Sequence, residues 1–77
     1  MNITASAAGH TFTRTSKVAW THANVTVFAN GYAHINWAKS LDAAQKLAAF
    51  RIAELATDQA GVDNPIVSVD VVATTIA

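Results

Sequence analysis

The chain reads Asn24-Val-Thr-Val-Phe-Ala-Asn-Gly-Tyr-Ala-His-Ile-Asn-Trp37 across the stretch that decides its fold. Apolar and polar residues alternate on both sides of Asn30-Gly31, which is the pattern of a β-hairpin. A three-residue loop over 29–31 places Val25 opposite Ile35 and gives one uniformly apolar face, whereas a two-residue loop mixes polar and apolar residues on each face. The longer loop is therefore favoured, with Gly31 in the left-handed position of a bulge.

The segments around the hairpin predict two further strands and one helix. Thr alternates with larger side chains over 10–15, which favours a strand because β-branched residues suit the pleated backbone. Ser40 is a good N-cap for a helix over 41–59, where strong helix formers occur without Gly or Pro. Residues 66–74 alternate as a last strand. At helical spacing, one stripe is expected to face the sheet: Leu41, Ala44, Ala48, Ile52 and Leu55.

These elements predict a single α+β domain over residues 1–77. Their order is β-β-β-α-β, or β-β-α-β if residues 10–28 form one bent strand. The expected architecture is a three- to four-stranded, mainly antiparallel sheet with the helix packed across its apolar face. The other face would be open to water or to a partner. The small residues at positions 1–9 predict a loose arm or an irregular edge strand.

Composition limits the functional classes that fit this chain. A domain of 77 residues buries a modest share of its surface, and with no Cys it has no disulfide to support it. The net charge is zero, which argues against bulk attraction to nucleic acid or to anionic membranes. All acidic residues nevertheless follow residue 41, so the charge is segregated. With no apolar run of about 18 residues and no signal peptide, an intracellular, cytoplasmic location is expected.

The chemically competent residues predict neither catalysis nor a bound cofactor. Nucleophilic catalysis would have to use Ser or Thr, and none of these lies in a nucleophile elbow. The three His lack the short spacings that are typical of metal ligands. Glu54 and Asp58 are spaced as a like-charge pair on a helix surface, which is typical of a solvated face. The chain is therefore expected to be non-enzymatic, without metal or cofactor.

The residues best suited to contact a partner lie on the polar face of the hairpin and on the flank of the helix. Aromatic side chains among short amides and hydroxyls are typical of protein interfaces. A protein-binding module is the leading prediction; a homo-oligomeric structural or virion component and a small nucleic-acid-binding domain are the alternatives. The expected contact residues are Phe28, Tyr32, His34 and Arg14, followed by Leu47, Phe50 and Arg51.

In size, composition and strand–helix order the chain resembles small phage-encoded inhibitors of host defence, including anti-CRISPR proteins. Residues 23–60 carry most of this likeness, since they place a single helix after a hairpin in a small, Ala-rich chain without Cys. The resemblance implies a protein that sterically blocks a subunit of a nuclease complex by direct contact.

Overall fold

A computed structural model describes all residues from 1 to 77 and confirms the α+β class. The chain forms two three-stranded antiparallel sheets and one helix. The N-terminal sheet has the strand order β2-β1-β6, and the hairpin sheet has the order β4-β3-β5. The elements are β1 (Asn2–Ala7), β2 (His10–Thr15), β3 (His22–Phe28), β4 (Ala33–Ala38), α1 (Leu41–Leu55), β5 (Ile66–Ala73) and β6 (Thr75–Ile76).

The predicted hairpin register is confirmed. Val25 pairs with Ile35, and the Phe28 amide donates to the Tyr32 carbonyl at 2.8 Å, which closes a three-residue loop. Gly31 has φ 87°, in the left-handed region that favours glycine. The loop is held further by Asn64, whose Oδ1 accepts from the Asn30 amide at 3.0 Å. The hairpin therefore has one fixed register, anchored to the turn that precedes β5.

The N-terminal residues form a central strand rather than a loose arm. β1 pairs with β2 on one side and with β6 on the other, and Ile3 is completely buried. The β1–β2 connection is a two-residue turn in which both residues have positive φ, 52° at Ala8 and 80° at Gly9. Such a turn matches the twist of a hairpin. The element order is consequently β-β-β-β-α-β-β, longer by two strands than the sequence predicts.

β3 is the buried centre of the molecule, and both of its faces are covered. All residues from Ala23 to Val27 are buried. On the face of Thr26 and Phe28 lies the helix, since Arg51 sits over the Phe28 ring. On the opposite face lies the N-terminal sheet, since Arg14 of β2 contacts Trp37, which pairs with Ala23. The helix therefore packs on the more polar face of the hairpin, and the expected open face does not exist.

The helix begins as predicted but buries a narrower stripe than expected. The Ala43 amide donates to the Ser40 hydroxyl at 3.1 Å, so Ser40 is the N-cap. Only Ala44 and Ala48 of the helix are buried. Ile52 is 51% exposed, and Leu41 and Leu55 are exposed as well, which corrects their assignment to the core. Small side chains at the contact let the helix backbone approach the sheet, while the larger apolar side chains of the helix remain exposed. The single helix is too short and too polar to cross a bilayer.

Two polar side chains are buried beneath the helix without their full set of hydrogen bonds. Asn24 Oδ1 accepts from Asn36 Nδ2 at 3.3 Å, but Asn24 Nδ2 has no partner. Thr26 Oγ1 is also without a partner, although the residue is completely buried. A buried hydroxyl without a hydrogen bond destabilises the folded state by about 1–3 kcal/mol.

Thr26→Val is therefore expected to stabilise the domain, because valine fills the same space without the unpaired hydroxyl. We expect the free energy of unfolding to rise by about 1 kcal/mol, measured by chemical denaturation. The matched control is Thr75→Val on exposed β6, which should change stability little. A loss of stability in Thr26→Val alone would show that the hydroxyl has a hydrogen-bond partner.

Candidate protein-binding surface

The hairpin loop positions two of the predicted contact residues side by side. Phe28 ends β3 and Tyr32 precedes β4, so the closed loop brings their rings together at a centroid distance of 5.9 Å and an angle of 34°. Tyr32 is 57% exposed, whereas Phe28 is half-buried. The Tyr32 backbone amide donates to Asn30 Oδ1 at 2.9 Å, which closes the loop beside the exposed ring. The aromatic pair is thus part of a hydrogen-bonded loop.

The helix adds three further predicted residues to this aromatic pair. The Arg51 guanidinium carbon lies 5.8 Å from the centroid of the Phe28 ring, in the range of a cation–π contact. Leu47 lies one turn before Arg51 on the helix surface, Phe50 lies three residues after Leu47 on the same flank, and both are exposed, Phe50 at 78%. The hairpin–helix patch, as we call it, consists of Phe28, Tyr32, Leu47, Phe50 and Arg51.

The one positive charge of the patch, on Arg51, is partly balanced by the neighbouring carboxylate of Glu54. Arg51 Nη1 lies 3.5 Å from Glu54 Oε1, and both side chains are partly exposed. An ion pair in this setting contributes little to stability, so Arg51 can exchange its partner without much loss. The patch therefore combines exposed aromatic and aliphatic side chains with one cation, a composition typical of protein-interface centres.

The remaining predicted residues, His34 and Arg14, do not belong to this patch. His34 pairs with Thr26, on the same face of the sheet as Phe28, and is half-buried. Arg14 lies on the opposite side of the hairpin sheet, where its guanidinium carbon is 5.3 Å from the Trp20 ring and 5.7 Å from the Trp37 ring. The face expected to be open is closed by the helix, so only its margin at Tyr32 is well exposed.

Arg14 belongs to a second cluster that the sequence does not single out. Lys39 Nζ also lies over Trp20, at 5.7 Å from the ring, and Trp20 Nε1 donates to Ser16 Oγ at 3.2 Å. The indole faces turned toward these cations are not free to stack on a nucleic-acid base. The cluster therefore connects β2 of the N-terminal sheet to Trp37 of the hairpin sheet. The sequence signal for it, two Trp among basic residues, depends on a sheet-to-sheet contact that local patterns do not define.

Comparison with known proteins finds no relative of this chain. Neither a protein-family model, nor a curated protein, nor a solved structure matches the chain. The surface has no pocket, and no three His, Asp or Glu side chains lie close enough to share a metal ion.

Proposed function

We propose that this chain is a non-enzymatic protein-binding module that acts by occupying the surface of a partner with the hairpin–helix patch. The observation that carries the proposal is the contact of Arg51 with Phe28, since it joins the exposed loop aromatic Tyr32 to the exposed helix residues Leu47 and Phe50. Separate exposed side chains are ordinary, but a joined group of this kind on a small domain favours an interaction site.

The chemistry of the patch favours a protein partner over nucleic acid. Its centre is aromatic and aliphatic, and its one cation is already close to Glu54. Nucleic-acid binding relies on several cations that contact phosphates, and the chain as a whole has no net charge. A partner that offers an apolar groove with an acidic rim would take Tyr32 and Phe50 into the groove and Arg51 at the rim.

The proposal extends to the biological setting that the sequence resemblance implies. A cytoplasmic, phage-encoded inhibitor of host defence would use such a patch to block a subunit of a nuclease complex sterically. Charge mimicry of nucleic acid is not required for this mode of action, which fits the neutral composition. The inhibitor would need no catalytic group, because occupancy of the surface is the whole effect.

Tyr32→Ala and Phe50→Ala are each expected to weaken binding of the partner by about 2 kcal/mol, or roughly 30-fold in Kd, as interface hot spots do. The tagged chain would first be used to isolate the partner from host lysate treated with nuclease. The Kd of the purified partner would then be measured by calorimetry for each variant.

The control for this experiment is Val62→Ala, which changes an exposed apolar residue outside the patch. Its Kd should equal that of the unmodified chain. Since Tyr32 and Phe50 are largely exposed, their variants should keep the unmodified melting temperature. Unchanged Kd values in both patch variants would overturn the proposal, whatever partner is recovered.

A further inference from the structure

The outer edge of β2 is a free strand edge with unpaired backbone groups. β2 has only β1 as a neighbour in its sheet. Met1 and Ser16 exchange backbone hydrogen bonds in both directions, at 3.0 Å each, so this pair is a hydrogen-bonded one. In an antiparallel ladder, hydrogen-bonded pairs alternate with non-hydrogen-bonded pairs. The backbone groups of Arg14, Phe12 and His10 are therefore bonded to β1. The other residues of β2 are Thr11, Thr13 and Thr15. Their backbone amides and carbonyls point away from β1, outward from the free edge of the sheet.

This edge lacks most of the features that usually prevent strands from pairing with another molecule. Free edges are normally protected by Pro, Lys, bulges or covering segments. β2 contains no Pro or Lys and pairs with β1 in an unbroken register over its six residues. The guanidinium of its one charged side chain, Arg14, lies over the rings of Trp20 and Trp37. All three outward-facing threonines are exposed.

The outer strand β5 of the hairpin sheet shows how this chain protects an edge. The pairing of β5 with β3 contains an irregularity, where Val27 pairs with Ser68 but Phe28 pairs with Ile66. β5 also carries the charged residue Asp70 within the strand. A bulge and a charge in the strand are both recognised protections. β2 has no bulge, and its one charge lies over two indole rings, so its edge is less protected than that of β5.

We infer that the β2 edge binds the β2 edge of a second copy of this chain, forming an antiparallel six-stranded sheet across a twofold axis. The segment Thr11-Phe12-Thr13-Arg14-Thr15 is self-complementary about Thr13. With the axis at Thr13, each outward-facing threonine meets an outward-facing threonine of the second copy, and each such pair exchanges two hydrogen bonds. This inference does not depend on the proposed function, since β2 is not part of the hairpin–helix patch.

Both faces of the joined strands are also complementary in this register. On one face, Thr11 lies opposite Thr15 of the second copy. The resulting hydroxyl pairs continue those already present between β1 and β2, where Ser6 Oγ lies 3.1 Å from Thr11 Oγ1. On the other face, half-buried Phe12 lies opposite Arg14 of the second copy, a cross-strand pair of an aromatic ring with a long side chain. No like charges face each other across the axis.

The oligomeric state tests this inference directly. The mass measured by light scattering, from micromolar to millimolar protein, should approach twice 8.1 kDa as the concentration rises. Thr13→Pro removes an outward-facing amide hydrogen, which an edge strand tolerates, and should weaken dimerisation at least tenfold. Thr13→Ser keeps that amide and is the matched control. A monomer at every concentration, or a dimer that Thr13→Pro does not weaken, would overturn the inference.

A charge exchange tests the register and does not rely on proline. Thr11→Lys with Thr15→Lys places like charges opposite each other and should give a monomer. Thr11→Lys with Thr15→Glu places opposite charges face to face and should restore the dimer. Equal dimerisation of the two double variants would reject the antiparallel pairing about Thr13.

Hydrogen exchange supplies a readout at single residues. In the unmodified chain, the amides of Thr11, Thr13 and Thr15 should become slower to exchange as the dimer forms, while those of Phe12 and Arg14 are protected at all concentrations by β1. Concentration-dependent protection elsewhere, with none at the three threonines, would place the contact on another surface and reject the inference.

Discussion

Ile3→Ala is expected to lower the free energy of unfolding by about 2–5 kcal/mol, the usual effect of removing most of a buried aliphatic side chain. Ile3 is completely buried in β1, the central strand of the N-terminal sheet, between the edge strand β2 and the short strand β6. A small domain without disulfides has little stability to lose, so this one change is expected to unfold a large share of the molecules near physiological temperature.

The control variant for Ile3→Ala is Ile76→Ala. Ile76 pairs directly with Ile3 across β1 and β6 but is 42% exposed, so its replacement should cost much less. Both variants would be measured by urea denaturation, with the midpoint and slope recorded. Equal and small effects would mean that residues 2–7 are not part of the core, and that the N-terminal sheet is a loose attachment to the hairpin sheet.

The hairpin could be predicted from the sequence because its determinants are local. Alternation fixes which residues share a face, and Gly31 supplies the positive φ that a three-residue loop requires. The Ser40 cap is equally local, since it depends on one side chain and the amide of Ala43. Because a few neighbouring residues determine the geometry of the hairpin, the sequence predicts its pairing residue by residue.

β1 could not be predicted because its turn lacks the usual signal. Ala8 has φ 52°, a conformation that costs an alanine about 1 kcal/mol or more and that Asn or Gly adopts more readily. The pattern Asn-Gly that reveals the β3–β4 hairpin is therefore missing from the β1–β2 hairpin. Small residues such as Ala5 pack tightly in this strand, although their area gives only a weak hydrophobic signal.

The position of the helix could not be predicted because both faces of β3 are buried. Local alternation marks the face of Ala23 and Val25 as apolar, and the helix is expected there. The N-terminal sheet occupies that face instead, which leaves Asn24 and Thr26 beneath the helix. The choice between two coverings of one sheet depends on the whole topology, and no short segment contains that information.

For the candidate site, sequence reasoning identified the members of the patch but not their grouping. Phe28, Tyr32, Leu47, Phe50 and Arg51 were all predicted as contact residues, in two separate sets. Their union depends on the Arg51–Phe28 contact, which joins residues far apart in the chain. The same long-range packing draws Arg14 to the other side of the sheet. The binding role of all these residues remains a prediction.

Ala48→Asp is expected to destabilise the domain by at least about 3 kcal/mol, because it places an unpaired carboxylate where the helix meets the sheet. Ala48 is completely buried, and an aspartate side chain is too short to reach water from that position.

Ala49→Asp is the matched control, because Ala49 is the next residue of the helix and is exposed. Both variants lose the same intrinsic helix propensity, so the difference between them isolates the effect of burial. The difference should narrow as the pH is lowered through the titration range of aspartate, since burial raises the pKa of a carboxyl and its neutral form is easier to bury. Equal unfolding free energies for the two variants at neutral pH would show that the helix does not rest on Ala48, and would remove the packing that brings Arg51 to Phe28.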